Sequence, residues 1–112
     1  MNKRLTPITT LRASEGRQDR KIIAAAAALL KKCGWTAVPP LVVVAYPDGD
    51  YIKDGHHRYE AAKKLGLKEV LVVDADSMNR GDRAAHGKRL RAYRELIKHP
   101  LATCVVPKPP KK

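Results

Sequence analysis

The sequence predicts an α+β fold, a small mixed sheet with flanking helices. Three observations carry this expectation. Two apolar, β-branched runs, 41–46 and 69–74, read as buried strands. Between them lie a Pro47-Asp48-Gly49-Asp50 turn and a short helical stretch closed by Gly66. On either side, apolar residues recur at the three- and four-residue spacings of a helix. With 112 residues and a hydrophobic fraction of 44%, the chain suits a single domain over residues 1–106.

The elements follow in order. Segment 5–11 is β-branched but contains Pro7, which an edge strand or an extended entry tolerates. Residues 14–18 are polar and read as a loop. Asp19 is placed to cap a helix with Ile22, Ile23, Ala26, Leu29, Leu30 and Cys33 on its inner side. The run Ala24 to Ala28 favours helix and permits close approach of a neighbour. Gly34 stops it. Strand 41–46, apolar throughout, suggests burial on both faces, and Tyr51-Ile52-Lys53 returns as its hairpin partner. A short helix follows over 56–65, with Tyr59, Ala62 and Leu65 inward. After strand 69–74 and a polar linker, Asp82 caps a last, basic helix over 82–99, with Leu90, Tyr93 and Ile97 on one face. Residues 101–106 suit a short edge strand. The Pro/Lys tail 107–112 is expected to be disordered or extended.

Charge narrows the partners. Lys and Arg number 23 against 11 acids, a formal net charge of +12. Such an excess draws polyanions, and nucleic acid is the usual one. The longest apolar run is far shorter than the roughly 20 residues that span a bilayer, and the N-terminus lacks a secretory stretch. Cys33 and Cys104 are far apart with no metal-type spacing. A reduced, cytoplasmic protein with no membrane partner is the expectation.

The chemistry concentrates at Asp54-Gly55-His56-His57-Arg58, between a strand and the first turn of a helix. A helix start exposes unpaired N–H groups and a partial positive charge, which suit an anion. Gly55 has no side chain to keep a phosphate away. Arg58 offers a fork matched to phosphate oxygens. His56 and His57 are candidates to donate hydrogen bonds or move protons. Asp54 is placed to cap the helix or to help hold a Mg²⁺ that accompanies a nucleotide. Adjacent helical residues diverge, so the two histidines are not expected to share one metal ion.

The segments Pro39-Pro40-Leu41-Val42-Val43-Val44, Asp54-Gly55-His56-His57-Arg58-Tyr59-Glu60-Ala61-Ala62-Lys63-Lys64-Leu65-Gly66-Leu67 and Val70-Leu71-Val72-Val73 together resemble the ParB/sulfiredoxin superfamily. The resemblance covers a core of about 5–74. It implies that the turn binds nucleotide phosphates, with ATP or CTP and Mg²⁺ as the cofactors to expect. Family members include CTP-binding partition proteins, ParB-like nucleases, sulfiredoxins and kinases of free serine. His56 stands where sulfiredoxins carry their catalytic cysteine, which argues against their chemistry. The partition proteins' helix-turn-helix and dimerisation domains do not fit in the length given. The Asp-Gly-His-His-Arg form is most similar to the serine kinases and related ParB-like proteins, and Leu11-Arg12-Ala13-Ser14-Glu15 resembles a stretch those families carry. By that resemblance Glu15 is the acid/base, with His56 and His57 as further catalytic candidates.

Three functions are therefore expected to compete. One is a nucleotide-phosphate-binding domain that acts on or beside DNA, as a ParB-like nuclease or a plasmid or phage regulator. Arg83, Lys88, Arg91 and Arg94 of the basic helix would contact backbone phosphates without reading sequence. The second is an ATP- or ADP-dependent small-molecule phosphotransferase of the serine-kinase type. The third is a non-enzymatic protein- or nucleic-acid-binding module. The sequence leaves the oligomeric state open, a homodimer included.

Overall fold

A computed structural model describes residues 2–13 and 19–98. Expectations for the loop 14–18, for Glu15, Cys104, the 101–106 strand and the 107–112 tail fall outside those residues.

The strands are β1 (Lys3–Pro7), β2 (Leu11–Arg12), β3 (Leu41–Tyr46), β4 (Gly49–Asp54) and β5 (Glu69–Asp74). The helices are α1 (Arg20–Cys33), α2 (His56–Lys64) and α3 (Arg80–Lys98). They form one mixed sheet in the order β1-β5-β3-β4-β2. β3 and β4 are the antiparallel hairpin, β5 lies parallel to β3, and β1 closes the edge antiparallel to β5. The α+β expectation holds in architecture and in order.

The segment expected to be an edge strand or an extended entry is divided. β1 sits at one edge of the sheet, while β2 pairs with β4 at the other. Only Ile8–Thr10 separates them, so the sheet must curl until its edges approach each other. Arg4 of β1 spans that curl. Its Nη2 lies 2.9 Å from Asp50 of β4 and 3.0 Å from Asp74 of β5. Both carboxylates, Asp74 foremost, push the Arg4 guanidinium up.

The first half of β3, Leu41 to Val43, is buried on both faces as its apolar run implied, whereas Val44 is half-buried and Ala45 and Tyr46 are exposed. Leu41 and Val43, with Val70 and Val72 of β5, face the main core under the helices. Val42 and Val73 face a smaller cluster with Ala75 and Met78. The period of two assigns each strand residue to one side. In the main core, Ala26 and Ala27 of α1 and Ala61 and Ala62 of α2 are buried. With no long side chain between them, the two helices can pack closely.

The start of the last helix differs from expectation. α3 begins at Arg80 rather than 82 and is described to Lys98. Asp82 is not its cap residue: Asn79 is, and the two bond reciprocally, Asn79 N–H to Asp82 Oδ2 at 3.1 Å and Asp82 N–H to Asn79 Oδ1 at 2.8 Å. This is a capping box with Asp in the third position. Cys33 is disulfide-bonded, which corrects the expectation of a reduced thiol. No helix among the described residues is long and apolar enough to cross a membrane.

Candidate functional site

The site begins with an irregularity. Opposite Val42 and Val43, β4 fits an extra residue, so the register shifts between Ile52 and Asp54. Such a bulge bends the strand and re-aims the chain beyond it. The next residue is Gly55, which caps α2 at φ 113° and ψ 27°. A Cβ built there would stand 3.0 Å from both Arg58 Nη2 and Leu41 Cγ. Glycine is required twice, by conformation and by space. No side chain caps α2, so the expectation that Asp54 does so is corrected.

Asp54 is instead held by charge. Arg58 Nη2 donates to its Oδ2 at 3.2 Å, and His86 Nε2 of α3 stands 3.6 Å from the same oxygen. His86, and Arg58 behind it, hold the Asp54 carboxyl below its usual range against the opposing effect of burial.

Arg58 does not reach into solvent as a free fork. It is 3% exposed. Its Nη1 donates to the carbonyls of Pro39 and Pro40 at 2.9 and 2.8 Å, and the Tyr93 ring lies 5.8 Å from its central carbon. Burial pushes the guanidinium's pKa down, with Asp54 opposing, but an arginine remains cationic. Its contribution to the site is a fixed positive charge beneath the turn and a clamp that ties α2 to the segment entering β3.

The two histidines diverge, as helical geometry demands. His56 is buried. His57 is partly exposed, and its Nε2 accepts the backbone N–H of Asp19 at 3.3 Å. The Asp19 carboxylate in turn accepts from Lys21 N and Ile22 N and caps α1. One imidazole thereby links the starts of both helices.

Around the turn opens a cleft of about 620 Å³. The turn residues Asp54 to Arg58 line it, with Lys21 and Ile22 of α1 on one side and Tyr93 and Arg94 of α3 on the other. Of the residues assigned to nucleic acid, Arg83, Lys88, Arg91 and Arg94 are all exposed on α3, and Arg94 alone lines the cleft. Glu15 lies outside the described residues, so its relation to the cleft stays an expectation.

The described residues do not assemble a protein-held Mg²⁺ site. Among the described residues no group of three or more His, Cys, Asp and Glu is placed to hold a metal ion. Asp54 is already matched by two basic side chains. The turn, which lines the cleft with cations around it, fits phosphate oxygens.

Three contributors escaped the sequence reading: His86, Tyr93 as a cleft residue, and the Pro39-Pro40 carbonyls. His86 carried a signal, since His86, Leu90, Tyr93 and Ile97 recur at four, three and four residues along one stripe of α3. The proline carbonyls carried none, because nothing local marks a backbone oxygen as a partner for a distant arginine.

No family model matches the chain, and no curated protein matches it. Solved structures do. ParB from Caulobacter crescentus complexed with CTP-γ-S is 18% identical at a TM-score of 0.58, covering 81% of this chain and 53% of that one. The same protein complexed to the centromeric parS site is 21% identical at 0.59, covering 82% and 48%. Sulfiredoxin from Arabidopsis thaliana is 20% identical at 0.61, covering 77% and 97%. A free serine kinase in complex with AMP is 22% identical at 0.57, covering 70% and 32%. The chain thus matches about half of ParB and a third of the kinase.

Proposed function

We propose, for a chain that has the ParB/sulfiredoxin fold, that it is a nucleotide-phosphate-binding domain working on or beside nucleic acid. One observation carries the reading. The Gly55 turn, at the N-terminus of α2, opens into a cleft lined by Lys21, Lys53, Arg94 and Lys98. Backbone N–H groups supply direction and the cations supply charge, the two requirements of phosphate recognition. Structural neighbours bound to a CTP analogue, AMP and parS DNA support this choice of ligands. The fold itself does not choose among them.

Binding is what the described residues support. Asp54 is held by His86 and Arg58, His57 is bonded to the start of α1, and no metal cluster is assembled among the described residues. Nuclease or kinase activity would need a base or metal ligand from outside the described residues, where Glu15 lies.

Calorimetric titration with ATP, ADP, CTP and GTP at low salt tests the reading. At least one should give heat, and a Lys21→Glu, Lys53→Glu double variant should lose it. Both side chains are exposed, so the reversal spares the core. No heat from any of the four nucleotides would overturn the proposal.

A further inference from the structure

Two anion-binding roles that the sequence assigns to separate places meet in one cleft. Arg94, expected to contact nucleic-acid backbone, lines the same space as the Gly55 turn, expected to hold a nucleotide. Lys98 stands one turn further along α3, Lys21 on α1, and Lys53 at the bulge of β4. Among the described residues, Lys21, Lys53 and Arg94 have no carboxylate within ion-pair distance. Asp54, the one acid among the described residues that line the cleft, is taken by Arg58 and His86. The cleft therefore carries more positive charge than its own residues neutralise, and an anion would relieve it.

A second observation points to a ligand. Tyr93 is 6% exposed and lines the cleft, and its phenolic oxygen has no hydrogen-bond partner among the described residues. A buried hydroxyl without a partner is costly. A ligand oxygen in the cleft would satisfy it.

Size limits the occupancy. About 620 Å³ falls inside the about 300–1,000 Å³ of a single-ligand site. A nucleotide and a nucleic-acid strand present the same group, an anionic phosphate, to the same cations. Together they would place like charges a few ångströms apart.

We propose that this cleft is one shared phosphate site in which free nucleotide and nucleic-acid backbone bind in mutual exclusion, with Tyr93 and Arg94 of α3 contacting whichever is bound. The inference rests on the reading of the Gly55 turn as a nucleotide-phosphate site. Its consequence is that nucleotide releases nucleic acid from this face of the protein.

The test uses the full chain and a fluorescein-labelled duplex followed by anisotropy, with ionic strength held constant by NaCl. ATP and CTP are titrated in separately, and calorimetry measures each nucleotide with and without saturating duplex. Nucleotide should displace the duplex, and saturating duplex should weaken nucleotide binding by at least about tenfold. Arg94→Ala and Tyr93→Phe should each weaken both ligands, Arg94→Ala by about tenfold. Arg83→Ala, outside the cleft, should weaken the duplex alone, and the urea midpoint of each variant checks that it is folded. Nucleotide affinity unchanged by saturating duplex would overturn the exclusion while leaving the nucleotide reading intact. Loss of only one ligand on Arg94→Ala, or a duplex that does not bind at all, would overturn it too. No nucleotide heat in the absence of duplex would remove the underlying reading and the inference with it.

Discussion

At the scale of single residues, Arg58 changes meaning between sequence and structure. A motif arginine at a helix start reads as a phosphate fork, yet its donors are committed to Pro39, Pro40 and Asp54. Removing it would leave buried carbonyls without a donor. We expect Arg58→Met to cost about 2–5 kcal/mol, read from urea denaturation. Arg58→Lys should recover little of this, because one ammonium cannot reproduce a planar fork. A loss below about 1 kcal/mol would show that the clamp is not structural. Asp54 makes a pH prediction. Its folded pKa lies below its unfolded value, through His86 and then Arg58, so at acid pH the unfolded chain binds more protons at this position. The contribution is present in full above about pH 4, the usual carboxylate range, and is lost as pH falls through the lowered folded value. Asp54→Asn should therefore flatten the acid limb of the stability–pH curve. An unchanged limb would contradict the His86 and Arg58 contacts.

At the scale of elements, the site is made where element starts converge. Asp19 caps α1, accepting from Lys21 N at 2.8 Å, while its own N–H is accepted by His57 of α2. Asp19→Ala should lower stability by about 1 kcal/mol, the ordinary cost of a lost N-cap, measured by thermal or urea unfolding. It should also weaken nucleotide binding, since it loosens the start of the helix that bears Lys21 and Ile22. A variant that loses stability but binds nucleotide unchanged would separate the cap from the site. Periodicity and cap chemistry make α1, the β3–β4 hairpin, α2 and β5 legible from local sequence. The start of α3 is harder to read because Asn79 and Asp82 form a reciprocal pair, and either residue type is a good cap by itself. β1 and β2 read as one edge strand or extended entry because a segment of seven residues carries no mark of which strand each half will pair with.

At the scale of the whole molecule, charge and shape act together. Part of the formal charge of +12 lies on α3, which exposes Arg83, Lys88, Arg91 and Arg94, and part lines the cleft beside it. Duplex affinity should fall linearly on a log–log plot against salt. Removing Arg83 or Arg91 should reduce that slope by about 0.9 per phosphate no longer neutralised, uniformly across duplex sequences. A sequence-dependent loss would mean that α3 reads bases.

The α+β class, most element positions and the turn at Asp54–Arg58 are written in local sequence, because helix period, strand alternation and glycine chemistry are local properties. It takes the packed fold to make Arg58 a buried clamp, to curl the edges of the sheet toward each other across Arg4, and to bring His86, Tyr93 and Arg94 of α3 to the turn. Those are contacts between residues far apart in the chain. Their partners are chosen by how the core packs, and no short stretch of sequence encodes that choice.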